Sequence, residues 1–529
     1  MSKNLSSFLL SISGALLLWL AWPTSPLTLL IFIAWVPLLL LANKNIKNSK
    51  FILLSLLHMM LWNVLTTWWL INSTMIGGIS AFIVNSILMT IPWTLYFIIQ
   101  KRSSFIVSSI SFIVLWLSFE FLHSNWDLSW PWLTLGNAFS MQTGWIQWYE
   151  YTGVSGGSLW ILLSNLFVFS IIKNHQENGR NQKYFIQIIC WMALLFIPIT
   201  ISKFIKFDAP ILHNKYNVVV VQPNINPYTT KFDASTQDDQ IKKLVALSEK
   251  NIDENTALVI WPETALPFYV DENDVKNNPK TFPIWDMLQK YPQVNLVSGV
   301  EGVRYFDHKN SVYAKQIQGS NEYYESYNSA SLWNKDSVTF YHKSKLVPGV
   351  EVLPSIVRFM APVFEKFGGT TGGYARDTKA RVFHSNNNHF TVAPAVCYES
   401  VYGDFMTQFL KQDANIIAII TNDGWWGNTE GHKQHMSYAK LRAIESRKWV
   451  ARSANTGTSC FINPYGKVVQ QLDWDKEGAL KQQVQAFSQQ SFYTQHGDII
   501  SRIMAYASII VITYFFYLLY INKKKNARK

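Results

Sequence analysis

Ala257-Leu-Val-Ile-Trp-Pro-Glu263 decides how the second half of this 529-residue chain is read. An apolar, partly β-branched run is halted by Pro262, which predicts a strand with a carboxylate where it stops. Val392-Ala-Pro-Ala-Val-Cys397-Tyr-Glu399 repeats the arrangement with a thiol at the stop. Similar runs occur at Asn217–Val221, Val294–Gly299 and Asn415–Thr421, with helix-like stretches at Gln237–Lys250 and His432–Trp449. Strands alternating with helices predict an α/β domain. Extended segments at 311–317, 327–334 and 458–469, the last with the turn Pro464-Tyr465-Gly466, add hairpins. In such sheets ligand chemistry gathers beyond the carboxyl ends of strands, where Glu263 and Cys397 fall.

Outward from there, the first two hundred residues read differently. Apolar residues make up 49% of the whole chain and charged ones only 15%, with 22 Trp and 33 Phe, a balance that predicts a membrane protein. Long apolar runs lie near 7–22, 27–42, 51–71, 80–99, 104–122, 157–172, 184–201 and 499–521, about eight spans, some of marginal length. Pro23, Ser25 and Pro26 lead from the first run straight into the second with no small-residue cleavage pattern, so the first is read as an uncleaved helix. Lys44, Lys47 and Lys50, then Lys101 and Arg102, then Lys173, Arg180 and Lys183, and finally the Lys523–Lys529 tail fill alternate loops. The opposite loops at 23–26, 72–79 and 123–153 hold no Lys or Arg. That asymmetry places both termini in the cytoplasm and the long segment before the last span outside. The expected domains are a membrane domain of seven helices at 1–202, an extracytoplasmic catalytic domain at 203–498, and an eighth helix with a basic tail at 499–529. Much of the net charge of +12 thus belongs to loops that set orientation, and no nucleic-acid partner is expected.

The chemistry-bearing residues lie in the α/β half. Three thiols, Cys190, Cys397 and Cys460, cannot make a disulfide framework, and the odd one is a candidate free thiol. Lys343 stands in Tyr341-His-Lys-Ser-Lys-Leu-Val-Pro348. A thiol beside a carboxylate and an ammonium has what nucleophilic catalysis needs: a proton acceptor, and a cation that favours thiolate and then steadies an oxyanion. Taken singly, a strand-end Cys is more often a small buried hydrophobe, and an isolated Glu or Lys a solvated surface group. The local strings decide between the two.

Trp261-Pro-Glu-Thr-Ala, Lys343-Ser-Lys-Leu-Val-Pro, Cys397-Tyr-Glu, Thr421-Asn-Asp-Gly-Trp-Trp-Gly, Gln434-His, Arg442-Ala-Ile-Glu-Ser-Arg and Ala454-Asn-Thr-Gly together resemble the nitrilase (carbon–nitrogen hydrolase) superfamily. That superfamily carries Glu, Lys and Cys in this chain order. Its domain set between a seventh and an eighth span, with Pro131-Trp-Leu-Thr-Leu-Gly ahead of the sixth, resembles the bacterial apolipoprotein N-acyltransferases. The resemblance implies a polytopic α-helical bundle plus an α/β nitrilase-like four-layer sandwich in the bacterial cytoplasmic membrane, with the catalytic domain on the periplasmic side. It also implies ping-pong transfer of an acyl chain from a phospholipid to the α-amino group of a diacylglyceryl-cysteine lipoprotein, without a cofactor. Glu263 would be general base and acid, Lys343 the cationic stabiliser and Cys397 the nucleophile, with the Tyr398 N–H in the oxyanion hole. Glu351 and Glu399 match supporting carboxylates, which as residues read equally as structural ion-pair partners. The family's mobile-loop Trp is Phe232 here, and the usual Phe-Gly before the supporting Glu is Pro348-Gly349-Val350, departures that touch the lipid entrance more than the chemistry.

Other strings are read as decoys. Gly153-Val-Ser-Gly-Gly fits a serine-hydrolase elbow, but no strand precedes it, so a helix-entry turn is expected. His432 and His435 lack a third ligand at metal spacing, and no metal is expected. Gly368-Gly-Thr-Thr-Gly-Gly lacks the Lys of a phosphate loop. Glu120, near the outer end of the fifth run, reads equally as a functional group and as an interfacial partner of the next loop. Two rivals remain: a membrane-tethered amidase or nitrilase that gives its acyl group to water, and a transporter or lipoprotein-binding scaffold with a dead enzyme domain. A transporter would favour paired repeats and interrupted spans, which are missing, and a dead domain would have lost one of the three triad residues, all of which are present.

Overall fold

The computed structural model describes residues 3–207, 215–353, 355, 373–386 and 388–526. The chain forms two compact units: Met1–Ile71, Met75–Lys206 and Asp498–Lys529 make one, Asn72–Thr74 and Phe207–Gly497 the other.

Among the described residues of the first unit, seven helices are long and apolar enough to cross a membrane: Asn4–Ala21, Asn48–Thr67, Met75–Gln100, Phe105–His123, Tyr149–Asn178, Gln182–Phe204 and Ile499–Lys524. This is a multi-pass membrane protein. The predicted run at 27–42 differs in kind, because it is a 3-10 helix Thr28–Phe32 followed by the short α-helix Val36–Ala42. Lipid offers no partner for backbone groups freed by such a break, so they must be satisfied by protein. Asn165 Oδ1 accepts the Trp35 N–H at 2.8 Å, Asn165 Nδ2 donates to Ile31 O at 2.9 Å, and the Ser164 hydroxyl donates to Phe32 O at 3.0 Å. Trp35 is also the hub of an aromatic cluster, stacked on Trp93 at 4.9 Å and edge-on to Trp116 at 4.6 Å and Trp62 at 5.8 Å. Between helices in lipid, such close packing does the work that water exclusion does elsewhere.

Glu120 is buried, and its Oε1 accepts from Trp116 Nε1 at 2.9 Å and Leu135 N at 2.8 Å, so it clasps the Pro131–Gly136 loop. In the Gly153 string the backbone turns left-handed (φ 60°) within Tyr149–Asn178, and Ser155 donates to Thr152 O at 2.9 Å. Gly153 thus sits at a kink between two helical segments, and no strand precedes it among the described residues.

The second unit holds two sheets. The first contains β1 (Tyr216–Gln222), β2 (Thr256–Ile260), β3 (Leu266–Asp271), β4 (Asn295–Phe306), β5 (Lys315–Gln316), β6 (Tyr323–Trp333) and β7 (Val338–His342). The second contains β8 (Phe383–His384), β9 (Thr391–Val396), β10 (Ile416–Thr421), β11 (Trp449–Ala454), β12 (Ser459–Ile462) and β13 (Val468–Leu472), while β14 (Gly478–Val484) returns to pair antiparallel with β1. Helices Gln237–Glu249 and Phe282–Lys290 cover the first sheet through Ile241, Leu244, Ile284, Met287 and Leu288, against Val219, Val221, Val259, Leu296 and Val300. Helices Gly403–Leu410 and Glu430–Ser446 cover the second, and β1 faces β11 across the middle. The order helix, sheet, sheet, helix is the four-layer α/β sandwich.

Differences from the expected elements have local causes. The helix predicted to reach Trp449 stops at Ser446, because Arg447 turns left-handed (φ 55°), and Trp449 already belongs to β11. β4 runs seven residues past Gly299, to Phe306, held along its length by β6.

Candidate active site

Parallel strands bring the site together at their carboxyl ends. β1, β2 and β4 are parallel neighbours, as are β9, β10 and β11. Glu263 lies just past β2 and Cys397 just past β9, while Thr421 is the last residue of β10. Lys343 follows β7, where its N–H donates to Asn328 O on β6 at 2.9 Å.

Glu263, Lys343 and Glu351 form one ion cluster, Glu263 and Lys343 buried and Glu351 partly so. Lys343 Nζ donates to Glu351 Oε1 at 2.8 Å and to Glu263 Oε1 at 3.3 Å. Asn328 Nδ2 reaches both carboxylates at 2.8 Å. Asn422 N caps Glu263 Oε2 at 3.1 Å, and Val347 N caps Glu351 Oε2 at 2.7 Å. Burial opposes the charge on Lys343, yet Glu351, Glu263 and Cys397 outweigh it and hold the ammonium well above the ordinary lysine value.

Cys397 opens the 3-10 helix Cys397–Val401 with a left-handed backbone (φ 52°), a conformation disfavoured for residues other than Gly. Thr264, next to Glu263, is left-handed too (φ 47°). A Cβ on Gly299 would lie 2.5 Å from the Glu263 Cα, so only glycine lets β4 pass this close to the carboxylate. Burial pushes the Cys397 thiol well up; Glu263 adds to the rise, Lys343 opposes it, Asp423 adds, and the Thr421 hydroxyl opposes. The resting sulfur is a neutral thiol. Tyr398 follows it, in the first turn of the 3-10 helix.

Glu399 ties the thiol turn to the lysine loop. Its Oε1 accepts from Ser344 N at 2.6 Å, Lys345 N at 3.1 Å and the Tyr341 hydroxyl at 2.7 Å, while Oε2 accepts from Val396 N at 2.9 Å. Burial pushes it up to about 7 against those hydrogen bonds. His342, next to Lys343, is bracketed by Glu272 at 3.0 Å and Asp377 at 3.1 Å, which steadies the end of β7.

Of the residues singled out from sequence, Glu263, Lys343 and Glu351 are joined directly, and Cys397 is electrostatically coupled to Glu263 and Lys343. Glu399 holds the frame, and Phe232 stands apart, half-exposed and stacked on Trp425 at 6.2 Å. His432 turns to Asn428 at 3.0 Å and His435 to Asp423 at 3.0 Å, so they share no ligand point. Ser400, His435 and Asp423 line up like a hydrolase triad, but the Ser400 hydroxyl donates to Cys397 O at 2.7 Å and all three are buried. They hold the thiol turn. Of the Gly368–Gly373 string, only Gly373 is among the described residues.

Sequence reasoning missed Asn328 and Lys231, and gave Thr421 no role beyond its place in the Thr421–Gly427 string. Asn328 sits inside β6 opposite Glu301 of β4, and its place at the site shows only in its hydrogen bonds to Glu263 and Glu351. Lys231 is 1% exposed and donates to the Glu263 main-chain O at 3.0 Å, and burial lowers it to about 7 while Glu263 and Glu301 pull the other way. Its signal was a Lys directly before Phe232.

Comparison with known proteins gives the family. A family model described as carbon-nitrogen hydrolase matches residues 217–492, and one described as apolipoprotein N-acyltransferase N-terminal domain matches residues 14–167. An apolipoprotein N-acyltransferase of Chlorobaculum tepidum is 29% identical over 519 residues, covering 95% of each chain. One from Geobacter metallireducens is 24% identical, covering 93% of this chain and 92% of the relative. Among solved structures, an amidase of the nitrilase superfamily from Nesterenkonia has 14% identity and a TM-score of 0.36, over 55% of this chain and 97% of its own. With more than half of its length in the matched segment 217–492, this chain belongs to the carbon–nitrogen hydrolase family, joined to an apolipoprotein N-acyltransferase N-terminal domain.

Proposed function

We propose that this protein is an apolipoprotein N-acyltransferase that moves a fatty acyl chain from a phospholipid to the N-terminal α-amino group of a diacylglyceryl-cysteine lipoprotein. The observation that carries this reading is the Glu263–Lys343–Glu351 cluster beside the Cys397 thiol, on a chain whose described residues also bear seven membrane-length helices.

In the first half-reaction Glu263 takes the Cys397 proton, and the sulfur attacks the ester carbonyl of the donor lipid. The proton stays inside the cluster. Before transfer Lys343 faces two carboxylates and a neutral thiol; afterwards it faces Glu351, a thiolate and a neutral Glu263. The net charge is unchanged, so no new charge is buried in a low-dielectric site. Lys343 and the Tyr398 N–H receive the developing oxyanion. Glu263 then returns the proton to the departing glyceryl oxygen, releasing lysophospholipid and leaving a thioester on Cys397. In the second half-reaction the lipoprotein amine attacks that thioester and gives a proton to Glu263, which passes it back to sulfur. Phe232 shapes the lipid entrance, and Glu351 and Glu399 position Lys343 and the thiol turn.

The Lys and Arg asymmetry of the short loops supports placement in the bacterial cytoplasmic membrane, with 1–202 and 499–529 as the membrane part and 203–498 on the periplasmic side. The test mixes purified full-length protein with labelled phospholipid, and the mass of the Cys397 peptide is read before and after a diacylglyceryl-cysteine peptide is added. The expected result is a thioester that disappears as the peptide gains an acyl chain. Release of free fatty acid to water, with no acylated peptide, would favour the membrane-tethered hydrolase instead. Cysteine-accessibility labelling that finds 203–498 inside the cell would overturn the orientation.

A further inference from the structure

Thr421 is buried at the end of β10, and its Oγ1 lies 3.2 Å from Cys397 Sγ and 3.0 Å from Asp423 Oδ1. A threonine hydroxyl has one proton, so it cannot donate to both. Asp423 does not depend on it. Arg452 donates to Asp423 Oδ1 at 3.1 Å and Oδ2 at 2.8 Å, and His435 Nδ1 lies 3.0 Å from Oδ1. The resting thiol carries its own proton and is a donor, whereas a thiolate only accepts.

We infer that Thr421 is a further catalytic residue, a hydroxyl that swings its single proton from Asp423 to the Cys397 sulfur as the thiol ionises. In the resting state Sγ–H donates to Thr421 Oγ1, and the threonine proton points at Asp423. When Glu263 removes the thiol proton, the hydroxyl rotates and donates to the thiolate. No proton is gained or lost by Thr421, and Arg452 and His435 continue to serve Asp423. When the thioester forms, the sulfur loses its charge and the hydroxyl returns. The groups facing the sulfur are Glu263 after β2, Lys343 after β7 and Asp423 after β10, with His435 and Arg452 behind Asp423.

The inference rests on Cys397 being the nucleophile, but its test reads the sulfur directly, whether or not an acyl chain is ever transferred. Full-length protein is treated with iodoacetamide across pH, and alkylation of the Cys397 peptide is followed by mass spectrometry. Thr421→Val keeps the shape and removes the donor, so the alkylation profile should move up by about one to two pH units, with thioester formation falling roughly 10- to 100-fold. Thr421→Ser should restore both. Thr421→Ala, which cannot clash, gives the same reading if the valine variant folds poorly. A profile unmoved in both Thr421→Val and Thr421→Ala, or a serine variant as impaired as they are, overturns the inference.

Discussion

Two buried thiols sit in or beside the same sheet, one at the end of β9 and one inside β12. Burial pushes Cys460 up to about 11 and Cys397 higher still, so by acidity alone Cys460 would be the better nucleophile. Under the proposed mechanism their neighbours reverse that order. Cys460 faces the charges of Arg452, Lys440 and Asp423, and its backbone is locked in register with Arg452 and Gln471. Cys397 leaves the ladder in a left-handed turn and meets a carboxylate, an ammonium and a hydroxyl. A reactive thiol in a dry site is the one whose proton has somewhere to go, not the one that is already most acidic.

The strongest way to break this comparison is to remove each sulfur. Cys397→Ala should form no thioester, whereas Cys460→Ala should keep most of the activity, as read by peptide mass after mixing with phospholipid; equal loss would end the distinction. Next is the base. Glu263→Gln should slow thioester formation by roughly 10²–10⁴-fold. Its residual rate should climb about tenfold per pH unit on the alkaline side, because only the ionised fraction of a thiol with a raised pKa can then react. Wild-type enzyme, with its internal base, should rise less steeply with pH, and a flat profile in Glu263→Gln would mean another group takes the proton. Lys343→Ala should cost about 10²–10³-fold through the lost oxyanion partner. That change also leaves Glu263 and Glu351 facing each other, and breaking a buried pair costs about 3–5 kcal/mol, so its melting temperature should fall as well. Phe232→Ala should have the smallest effect: Cys397 is still acylated, with a changed preference among phospholipids. A Phe232→Ala enzyme as inactive as Cys397→Ala would place that ring in the chemistry.

The legible parts of the site are those written in apolar runs. Ala257–Trp261 and Phe390–Val396 announce strands, and their terminal Glu263 and Cys397 follow from chain order. Lys343 needed its surrounding string, because a lysine after a strand is ordinarily a surface group. β11 was obscured by Arg452, a charge at the centre of a buried strand, tolerable because the Asp423 carboxylate and the Thr458 carbonyl receive it. β14, Gly478-Ala-Leu-Lys-Gln-Gln-Val484, is a half-exposed edge strand with too few apolar residues to stand out. The broken helix at 28–42 was hidden for the opposite reason. Its residues are uniformly apolar, and what interrupts them is Asn165 and Ser164, more than a hundred positions away. Patterning reports what a residue buries, while the partners that permit an exception lie elsewhere in the chain.

The pairing of β1 with β14 sets an order of events during synthesis. Tyr216 lies opposite Val484 and Gln222 opposite Gly478, so the first strand of the catalytic unit completes its ladder only when the last has been made. Until then one edge of β1 has open backbone groups, a template for wrong partners, and the closing contact is among the most distant in the unit. The two strands through which the chain enters and leaves the unit are thus its closing seam. A nascent chain stalled before Gly478 would carry Glu263, Lys343 and Cys397 already in sequence, yet with β1 unclosed.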